Sequence, residues 1–277
     1  MVIWLHGLGD GSSPGKPVSS NSNIAAWASE DYQSRFKDTK GAFIFAPRCD
    51  GGQNTWDDKY IPVLRKTIDA FIAANRKDID VTRIYIGGYS MGGKMTLKML
   101  TAYPEMFAAA FPICPAWVPS EAATACFKDV PVWMTSGAKD PLVNYYAFAM
   151  TTWNNILSQS NVAEICRLST LKTTCFPDGK KAYSAHVSWY SVSNDLFSSD
   201  NGDYPKMKTV DGNGDTVTLQ YPDGMISWIS GFKSDYDGAP ATDNGNDEAY
   251  TGFDMNVFGF IKAWIRNYFV YLKSLLR

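Results

Sequence analysis

The sequence predicts an α/β fold built on a mostly parallel sheet with helices on both faces. Two observations lead to this class. Apolar runs alternate with helical segments through the first two thirds of the chain, and these runs lack the polar alternation of strands that face water on one side. The chain has 277 residues, 45% of them hydrophobic, so it can bury a sizeable core. A single main domain is common at this length.

The predicted elements follow one another in chain order. VIWLH, residues 2–6, is a short apolar run that ends at a glycine-rich loop, and GAFIFAP, residues 41–47, is the next run. Residues 60–77 carry apolar side chains at helical spacing and predict a helix. Further strands are predicted at RIYIGG, FAAAFPICP and VPVWMTSG, and the helix MGGKMTLKMLTAYP follows the first of these.

The last third of the chain predicts additions to a main domain that spans residues 1–234. Two β-rich arms around the turn DGNGD indicate an inserted hairpin at about 205–222. Residues 235–248 are rich in Asp, Asn and Gly and predict a loop or linker. Residues 249–277 are strongly apolar and predict a C-terminal helix.

That C-terminal helix needs a cover for its apolar surface. Lys262 and Arg266 interrupt it, and about 20 uninterrupted apolar residues are needed to cross a bilayer, so a membrane span is not expected. Packing on the main domain is the first expectation. A partner subunit in a homodimer, a membrane surface, or ordering on ligand binding are the alternatives.

Charge and cysteine content narrow the possible partners. A formal net charge of −2 gives no electrostatic basis for binding nucleic acid. The five cysteines have no metal-binding spacing. Cys114 with Cys126, and Cys166 with Cys175, are close enough in sequence to form disulfides, and buried free thiols are the alternative. Met1 leads directly into a strand, which suggests that the numbering begins inside the fold. We expect a secreted or extracytoplasmic protein whose signal segment is absent from this sequence, with the cytoplasm as the alternative.

The stretch RIYIGGYSMGGKMTL places Ser90 within a G-x-S-x-G pattern, from Gly88 to Gly92, between a strand and a helix. This is the context of a nucleophile elbow, in which a sharp turn exposes the serine hydroxyl above the sheet edge. Glycines are expected on both sides because neighbouring backbones pass close to them. An ordinary tight turn between strand and helix is the alternative.

A serine hydroxyl needs a base to take its proton and a third group to orient that base. The chain has two histidines. In the chain order serine, acid, histidine, His186 is the expected base, and His6 is expected to shape the first loop. Asp140 follows the strand VPVWMTSG and is the expected acid, with helix capping as its alternative role. Asp129 precedes that strand and would lie at the wrong end.

Two backbone amides are expected to stabilise a developing oxyanion. One belongs to Met91, directly after the serine, and the other to Leu8 in the loop after the first strand. Trp56, Trp117 and Trp189 fall on loops expected at the same sheet edge, where aromatic walls would suit a planar acyl group or a sugar ring. Packing explains each of the three equally well.

With these residues in place, the chain resembles α/β-hydrolase-fold serine esterases. The motif LHGLGDG is similar to the oxyanion loop of carboxylesterases and acyl-protein thioesterases. The segment from GGYSMGG to CPAW is more similar to the feruloyl esterase, acetyl xylan esterase and polyhydroxybutyrate depolymerase group, as is the spacing from His186 to Trp189. The resemblance covers about residues 1–190. Strands that normally precede the oxyanion strand are absent, and MISWISGF could be a displaced closing helix.

The resemblance implies a carboxylic ester hydrolase that works through an acyl-enzyme. Hydroxycinnamoyl or acetyl esters of plant cell-wall polysaccharide are the first expectation, and polyesters or short aliphatic esters the second. A non-catalytic binding protein with this fold is the alternative of another class. No cofactor or metal is expected, because DGNGD at 211–215 lacks the later residues of a calcium loop and is better explained as a turn.

Overall fold

The computed structural model describes residues 1–10, 22, 24–49, 56–125, 129–159, 165–174, 180–182, 184–197, 206–220 and 223–241. Residues Met1–Pro240 form one compact unit. The predicted C-terminal helix at 249–277 lies outside the described residues.

One seven-stranded sheet organises this unit, in the order β2-β1-β3-β4-β5-β6-β7. The first six strands are parallel, and β7 runs antiparallel to β6. This confirms the predicted α/β class. The strands are β1 Val2–Leu5, β2 Ile44–Phe45, β3 Tyr85–Tyr89, β4 Ala109–Ile113, β5 Trp133–Gly137, β6 Arg167–Thr173 and β7 Lys206–Asp211.

Helices connect the strands, and two of them are long enough to dominate the packing. The helix predicted at residues 60–77 is α2, and the helix after the serine is α3. The helices are α1 Glu30–Ser34, α2 Tyr60–Ala74, α3 Met91–Ala102, α4 Glu121–Thr124, α5 Thr151–Leu157, α6 Trp189–Ser193 and α7 Met225–Ser230. A π-helical segment, Tyr145–Met150, leads directly into α5.

The order in which successive strands are added to the sheet reverses at β1, although the strands themselves stay parallel. From β1 the chain moves to β2 on one side, and β3 then lies on the other side of β1. In open parallel sheets, ligands bind in the crevice outside the carboxyl ends of the strands at such a reversal. Here those two ends are Leu5, which leads into the loop at residues 6–10, and Tyr89, which leads into Ser90.

A cluster of large aromatic rings packs against the sheet below this crevice. Trp4 lies 5.8 Å from Tyr89 and 6.1 Å from Phe111 between ring centroids, and Trp27 lies 5.8 Å from Phe111. All four side chains are buried. Rings of this size each bury on the order of 150–250 Å², so this cluster forms a closely packed part of the core next to the crevice.

The region after residue 165 differs in part from its sequence-based description. Strand β6 was not expected as a separate element, and it forms the edge on which β7 pairs. The predicted hairpin forms its first arm as β7 and its turn at Asp211, whose N–H donates to the carbonyl of Asp215 at 3.0 Å. The return arm is limited to the bridge between Val210 and Thr216. MISWISGF does form a helix, α7, which packs in the core.

The first part of the predicted loop at 235–248 packs against α2. Tyr236 is buried, and its hydroxyl donates to the carbonyl of Ala239 at 2.8 Å. Arg65 on α2 donates to that same carbonyl at 2.8 Å. Residues 242–248 lie outside the described residues. Within the described ranges, no helix combines the length and apolarity needed to cross a bilayer.

Candidate active site

Ser90 occupies a strained turn between β3 and α3. Its φ of 56° lies in the left-handed region, where a non-glycine residue costs on the order of 1–3 kcal/mol and usually marks a functional site. The turn is fixed from both sides, because the Ser90 N–H donates to the carbonyl of Ile113 at 2.9 Å and its own carbonyl accepts from Lys94 at 3.0 Å.

The glycines around Ser90 are required by close backbone approach. A Cβ built at Gly88 would lie 2.5 Å from the carbonyl oxygen of Leu5, and one at Gly92 would lie 2.1 Å from the same oxygen. Gly93 has a similar restriction from the carbonyl of Ile113, at 2.6 Å. The backbones of β1 and β4 therefore pass within contact distance of the turn, which is the crowding that the G-x-S-x-G pattern predicts.

Asp140 lies just beyond the end of β5 and uses both carboxylate oxygens. Oδ1 accepts from the backbone N–H groups of Leu142 at 2.8 Å and Val143 at 2.9 Å. Oδ2 lies 2.7 Å from Nδ1 of His186. The carboxylate is fully buried. The two amides orient the carboxylate so that its second oxygen faces the imidazole. The next helical segment is capped by Asn144, so the alternative of helix capping by Asp140 is wrong.

His186 lies on the loop before α6, and its surroundings hold the imidazole in place. The His186 backbone N–H donates to Oγ of Ser184 at 3.2 Å, and its carbonyl accepts from the thiol of Cys114 at 3.6 Å. The imidazole lies edge-on to the ring of Trp189, 5.5 Å away. Trp189 in turn lies 4.4 Å from the ring of Tyr89, the residue before Ser90. The loop of the imidazole and the turn of the serine therefore share one aromatic contact.

Several groups act on the pKa of His186 in opposite directions. Burial lowers it, while the hydrogen bonds of the imidazole with Asp140 and Cys114, together with the negative charge of Asp140, raise it to about 10. The carboxylate of Asp140 thus stabilises the imidazolium, the form a base reaches after taking a proton.

The loop at residues 6–10 lies at the end of β1, across the reversal from Ser90. His6 is buried, its Nδ1 lies 2.7 Å from the carbonyl of Gly7, and its Nε2 accepts from the N–H of Cys49 at 2.9 Å. Burial lowers the pKa of His6. These contacts hold a neutral imidazole with its proton on Nδ1, which supports a structural role for this histidine.

The two residues expected to supply oxyanion amides lie on either side of this reversal. Leu8 belongs to the loop, and its side chain is exposed. Met91 is the first residue of α3, where backbone N–H groups have no acceptor within the helix. The helix N-terminus also favours negative charge at this point.

Comparisons with known proteins agree with this architecture. A family model described as phospholipase/carboxylesterase matches residues 53–173. A bifunctional acetylxylan esterase/xylanase, XynS20E, from Neocallimastix patriciarum is 29% identical over 112 residues, which are 39% of this chain and 16% of that protein. A probable carboxylesterase SOBER1-like from Arabidopsis thaliana is 25% identical over 175 residues, covering 53% of this chain and 62% of that protein.

A solved structure extends the similarity to most of the described unit. The crystal structure of a thermostable esterase aligns with a TM-score of 0.55 at 25% identity, over 70% of this chain and 52% of that chain. The chain has the α/β-hydrolase fold. It spans less than two thirds of the length of the acetylxylan esterase/xylanase, the carboxylesterase and the thermostable esterase that it matches.

The three tryptophans expected near the substrate take different positions in the structure. Trp56 is buried, donating to the carbonyl of His6 at 3.0 Å, and its ring packs 5.0 Å from the imidazole of His6. Trp117 is half-buried and lies under the ammonium of Lys98, 4.6 Å from the ring centroid. Of the three, the structure brings Trp189 to the candidate triad and uses Trp56 to support the loop of His6.

One residue of the candidate site carried no recognisable signal in the sequence. Cys114 directly follows β4 with a φ of 35°, and it is buried. Possible ligand atoms of Cys114, Asp140 and His186 all lie within 4.8 Å of one another, but the carboxylate and the imidazole are already hydrogen-bonded to each other. Cys114 and Cys166 are free thiols, and Cys126 and Cys175 lie outside the described residues.

Proposed function

We propose that this protein hydrolyses carboxylic esters through an acyl-enzyme formed on Ser90. His186 takes the proton from the serine hydroxyl as Oγ attacks the ester carbonyl, and it then gives that proton to the leaving alcohol. Asp140 orients the imidazole and stabilises its charged form. Water then attacks the acyl-enzyme. His186 takes a proton from this water and returns it to Oγ of Ser90. The backbone amides of Leu8 and Met91 stabilise the oxyanion in both steps.

The contact between Asp140 and His186 carries this proposal. A buried carboxylate 2.7 Å from Nδ1 makes Nε2 the nitrogen that would act as the base, as the triad chemistry requires. The strained φ of Ser90 and the sheet reversal beside it support the assignment of that serine as the nucleophile. The similarity to esterases supports acyl transfer as the reaction class.

For the substrate, we propose acetyl or hydroxycinnamoyl esters of plant cell-wall polysaccharide. The relative named as an acetylxylan esterase/xylanase supports this choice, and Trp189 offers an aromatic surface beside His186. A sugar ring or a planar acyl group can pack on such a surface.

A second candidate is an aliphatic ester or polyester, and the exposed apolar side chains favour it. Within the described part of the chain, the large apolar side chains that stand exposed are Leu8, Leu142 and Tyr146. Leu8 lies on the loop after β1, and the other two follow Asp140 after β5. Leu8 and Leu142 therefore lie on loops that follow strand ends on both sides of β3, and Tyr146 lies in the π-helical segment after the second loop. An apolar acyl chain bound at Ser90 could contact such side chains.

Burst kinetics test the proposed chemistry. We expect p-nitrophenyl acetate to release one equivalent of p-nitrophenol per active site in a rapid phase, which Ser90→Ala abolishes without changing the unfolding midpoint. Ser158→Ala is the matched control, because this serine lies at the end of α5, and it should keep the full burst. Normal activity in Ser90→Ala would overturn the proposal. No turnover of any activated ester would favour a binding protein instead.

A substrate panel separates the two ester classes. The panel compares methyl ferulate, p-nitrophenyl acetate, p-nitrophenyl butyrate and a soluble polyester fragment by kcat/KM. The cell-wall proposal predicts a preference for ferulate or acetate over butyrate. A preference for butyrate with no turnover of ferulate would contradict that substrate while leaving the mechanism intact.

A further inference from the structure

Tyr89 lies between the loop at residues 6–10 and Trp189, although the proposed chemistry assigns it no role. It is the last residue of β3 and directly precedes Ser90. Its ring is buried, 4.4 Å from the ring of Trp189 on the histidine side. On the other side it lies directly against Gly7, where a built Cβ would come within 2.6 Å of the Tyr89 ring.

The hydroxyl of Tyr89 is hydrogen-bonded to the loop at residues 6–10 at two points. It donates to Oδ2 of Asp10, and it accepts a backbone hydrogen bond from Gly7. Burial and the negative charge of Asp10 raise the pKa of Tyr89, so the hydroxyl keeps its proton and remains a donor. The loop also closes on itself, because the N–H of Asp10 donates to the carbonyl of Gly7 at 3.4 Å.

These two hydrogen bonds enclose Leu8. Gly7 precedes it and Asp10 follows it by two residues, so fixing both also fixes the direction of the intervening peptide N–H groups. An oxyanion donor contributes only if it lies about 2.7–3.1 Å from the oxyanion. The adjacent Gly9 has a φ of 82°, a backbone conformation that glycine adopts without steric cost.

We propose that the Tyr89 hydroxyl and the Asp10 carboxylate form a latch that holds the Leu8 amide in position to stabilise the oxyanion. Tyr89 is in this view a positioning residue, because it acts on the reaction through the loop. The inference rests on the proposed function in one respect, namely the role of the Leu8 amide. The latch itself is a property of the fold, and it can be measured without substrate.

Kinetics on paired substrates test the catalytic part of this proposal. Tyr89→Phe removes the hydroxyl and keeps the ring, and it should lower kcat/KM for an oxygen ester about 10- to 100-fold, somewhat less than complete loss of an oxyanion donor. The corresponding thionoester develops charge on sulfur, which accepts hydrogen bonds weakly. Its turnover should fall less, so the ratio of ester to thionoester rates should drop. A purely structural defect would lower both rates alike.

Variants of the acceptor sharpen the same test. Asp10→Ala should lower kcat/KM no more than Tyr89→Phe does. The double variant should be no worse than Tyr89→Phe alone, because Tyr89→Phe already removes the hydrogen bond to Asp10 together with the one from Gly7. Asp10→Asn keeps an oxygen acceptor and should stay close to the wild-type ester to thionoester ratio. Additive losses, or an unchanged ratio in Tyr89→Phe, would overturn the latch as a catalytic device.

A matched tyrosine on the same strand provides the control. Tyr85 is also buried on β3, and its hydroxyl donates to the carbonyl of Phe232 at 3.2 Å, at the opposite end of the strand from Ser90. Tyr85→Phe should cost stability like Tyr89→Phe but leave the ratio of rates unchanged. Equal changes of that ratio in both variants would contradict the proposal.

Amide hydrogen exchange tests the latch independently of any activity. Amides of residues 7–10 should exchange several-fold faster in Tyr89→Phe and Asp10→Ala than in the wild type or in Tyr85→Phe. Unchanged exchange would overturn the latch even in an active enzyme. Faster exchange in a protein that hydrolyses no ester would support the latch and overturn the proposed function instead.

Discussion

The two sides of the candidate site are held by different kinds of contact. Around Ser90 the contacts are between backbone atoms, because the carbonyl of Leu5 leaves no space for a side chain at Gly88 or Gly92. Around His186, side chains from distant segments hold the loop, among them Asp140 and Cys114. The nucleophile side is thus specified by a short local motif. The base side depends on several independent contacts, each of which can be changed without disturbing the sheet.

Breaking the contact between Asp140 and His186 should have the largest effect on activity. Asp140→Asn should lower kcat by about 10⁴-fold, because an amide favours the wrong tautomer of the imidazole. Folding should persist, since the amide oxygen can still accept from Leu142 and Val143. Steady-state kinetics and urea unfolding measure the two quantities. Asp129→Asn, at the other end of β5, is the matched control and should keep full activity.

The pH profile adds a directional check on the same pair. The neutral imidazole is the active base, so kcat/KM should rise with pH up to the pKa of His186, which its neighbours raise to about 10. Asp140→Asn removes the hydrogen bond and the negative charge that raise this pKa. The acidic limb of its residual activity should therefore move to lower pH. A limb that stays in place or moves upward would contradict the assignment of this pair.

On the nucleophile side, the largest effect should be on folding. Gly92→Ala places a Cβ 2.1 Å from the carbonyl oxygen of Leu5, so the backbone must move to make room for it. We expect a loss of about 3–5 kcal/mol in the free energy of unfolding, at the upper end for overpacking. Urea denaturation measures it. Gly231→Ala, where the nearest atom is 3.3 Å from the built Cβ, should change stability by about 1 kcal/mol or less.

This difference between the two sides explains what could be predicted from the sequence. The glycines around Ser90 have a local cause, so the motif and its strand and helix were readable, and the parallel sheet followed from the apolar runs. The order of residues along the chain pointed to Asp140 and His186 as partners, and the structure places them in contact, while their catalytic roles stay predictions. The contact of Cys114 with His186 and the hydrogen bonds of Tyr89 to residues 7–10 join segments that are distant in sequence, so no local sequence pattern predicts them.

Trp56 also shows that contacts between distant segments could not be predicted from the sequence. Its position in a loop near the sheet edge was compatible with a substrate wall, but the sequence could not show that its indole N–H meets the carbonyl of His6. Strand β6 was missed because Arg167, Ser169 and Lys172 interrupt its apolar pattern. Its pairing with both β5 and β7 overrides that weak local signal.

The smallest effect should come from the anchor that follows α6 on the histidine side. Asp195 is buried with a φ of 52°, and its Oδ1 accepts from the N–H of Met225 at 2.5 Å, at the start of α7. Oδ2 pairs with Arg35 at 3.3 Å. Burial raises the pKa of Asp195 to about 6, against the opposing charge of Arg35.

The sign of the resulting pH dependence follows from proton binding. Between pH 3.8, the ordinary value, and about 6, the folded protein holds a proton on Asp195 that the unfolded chain has released. Stability from this group is therefore greatest at low pH and falls as the pH rises, by about 1–3 kcal/mol in total. Asp195→Asn tolerates the same backbone angle and cannot titrate, so its stability relative to wild type should improve between pH 4 and pH 7. Urea unfolding at both pH values measures this, and parallel curves for the two proteins would show that Asp195 stays ionised and that its pairing with Arg35 outweighs its burial.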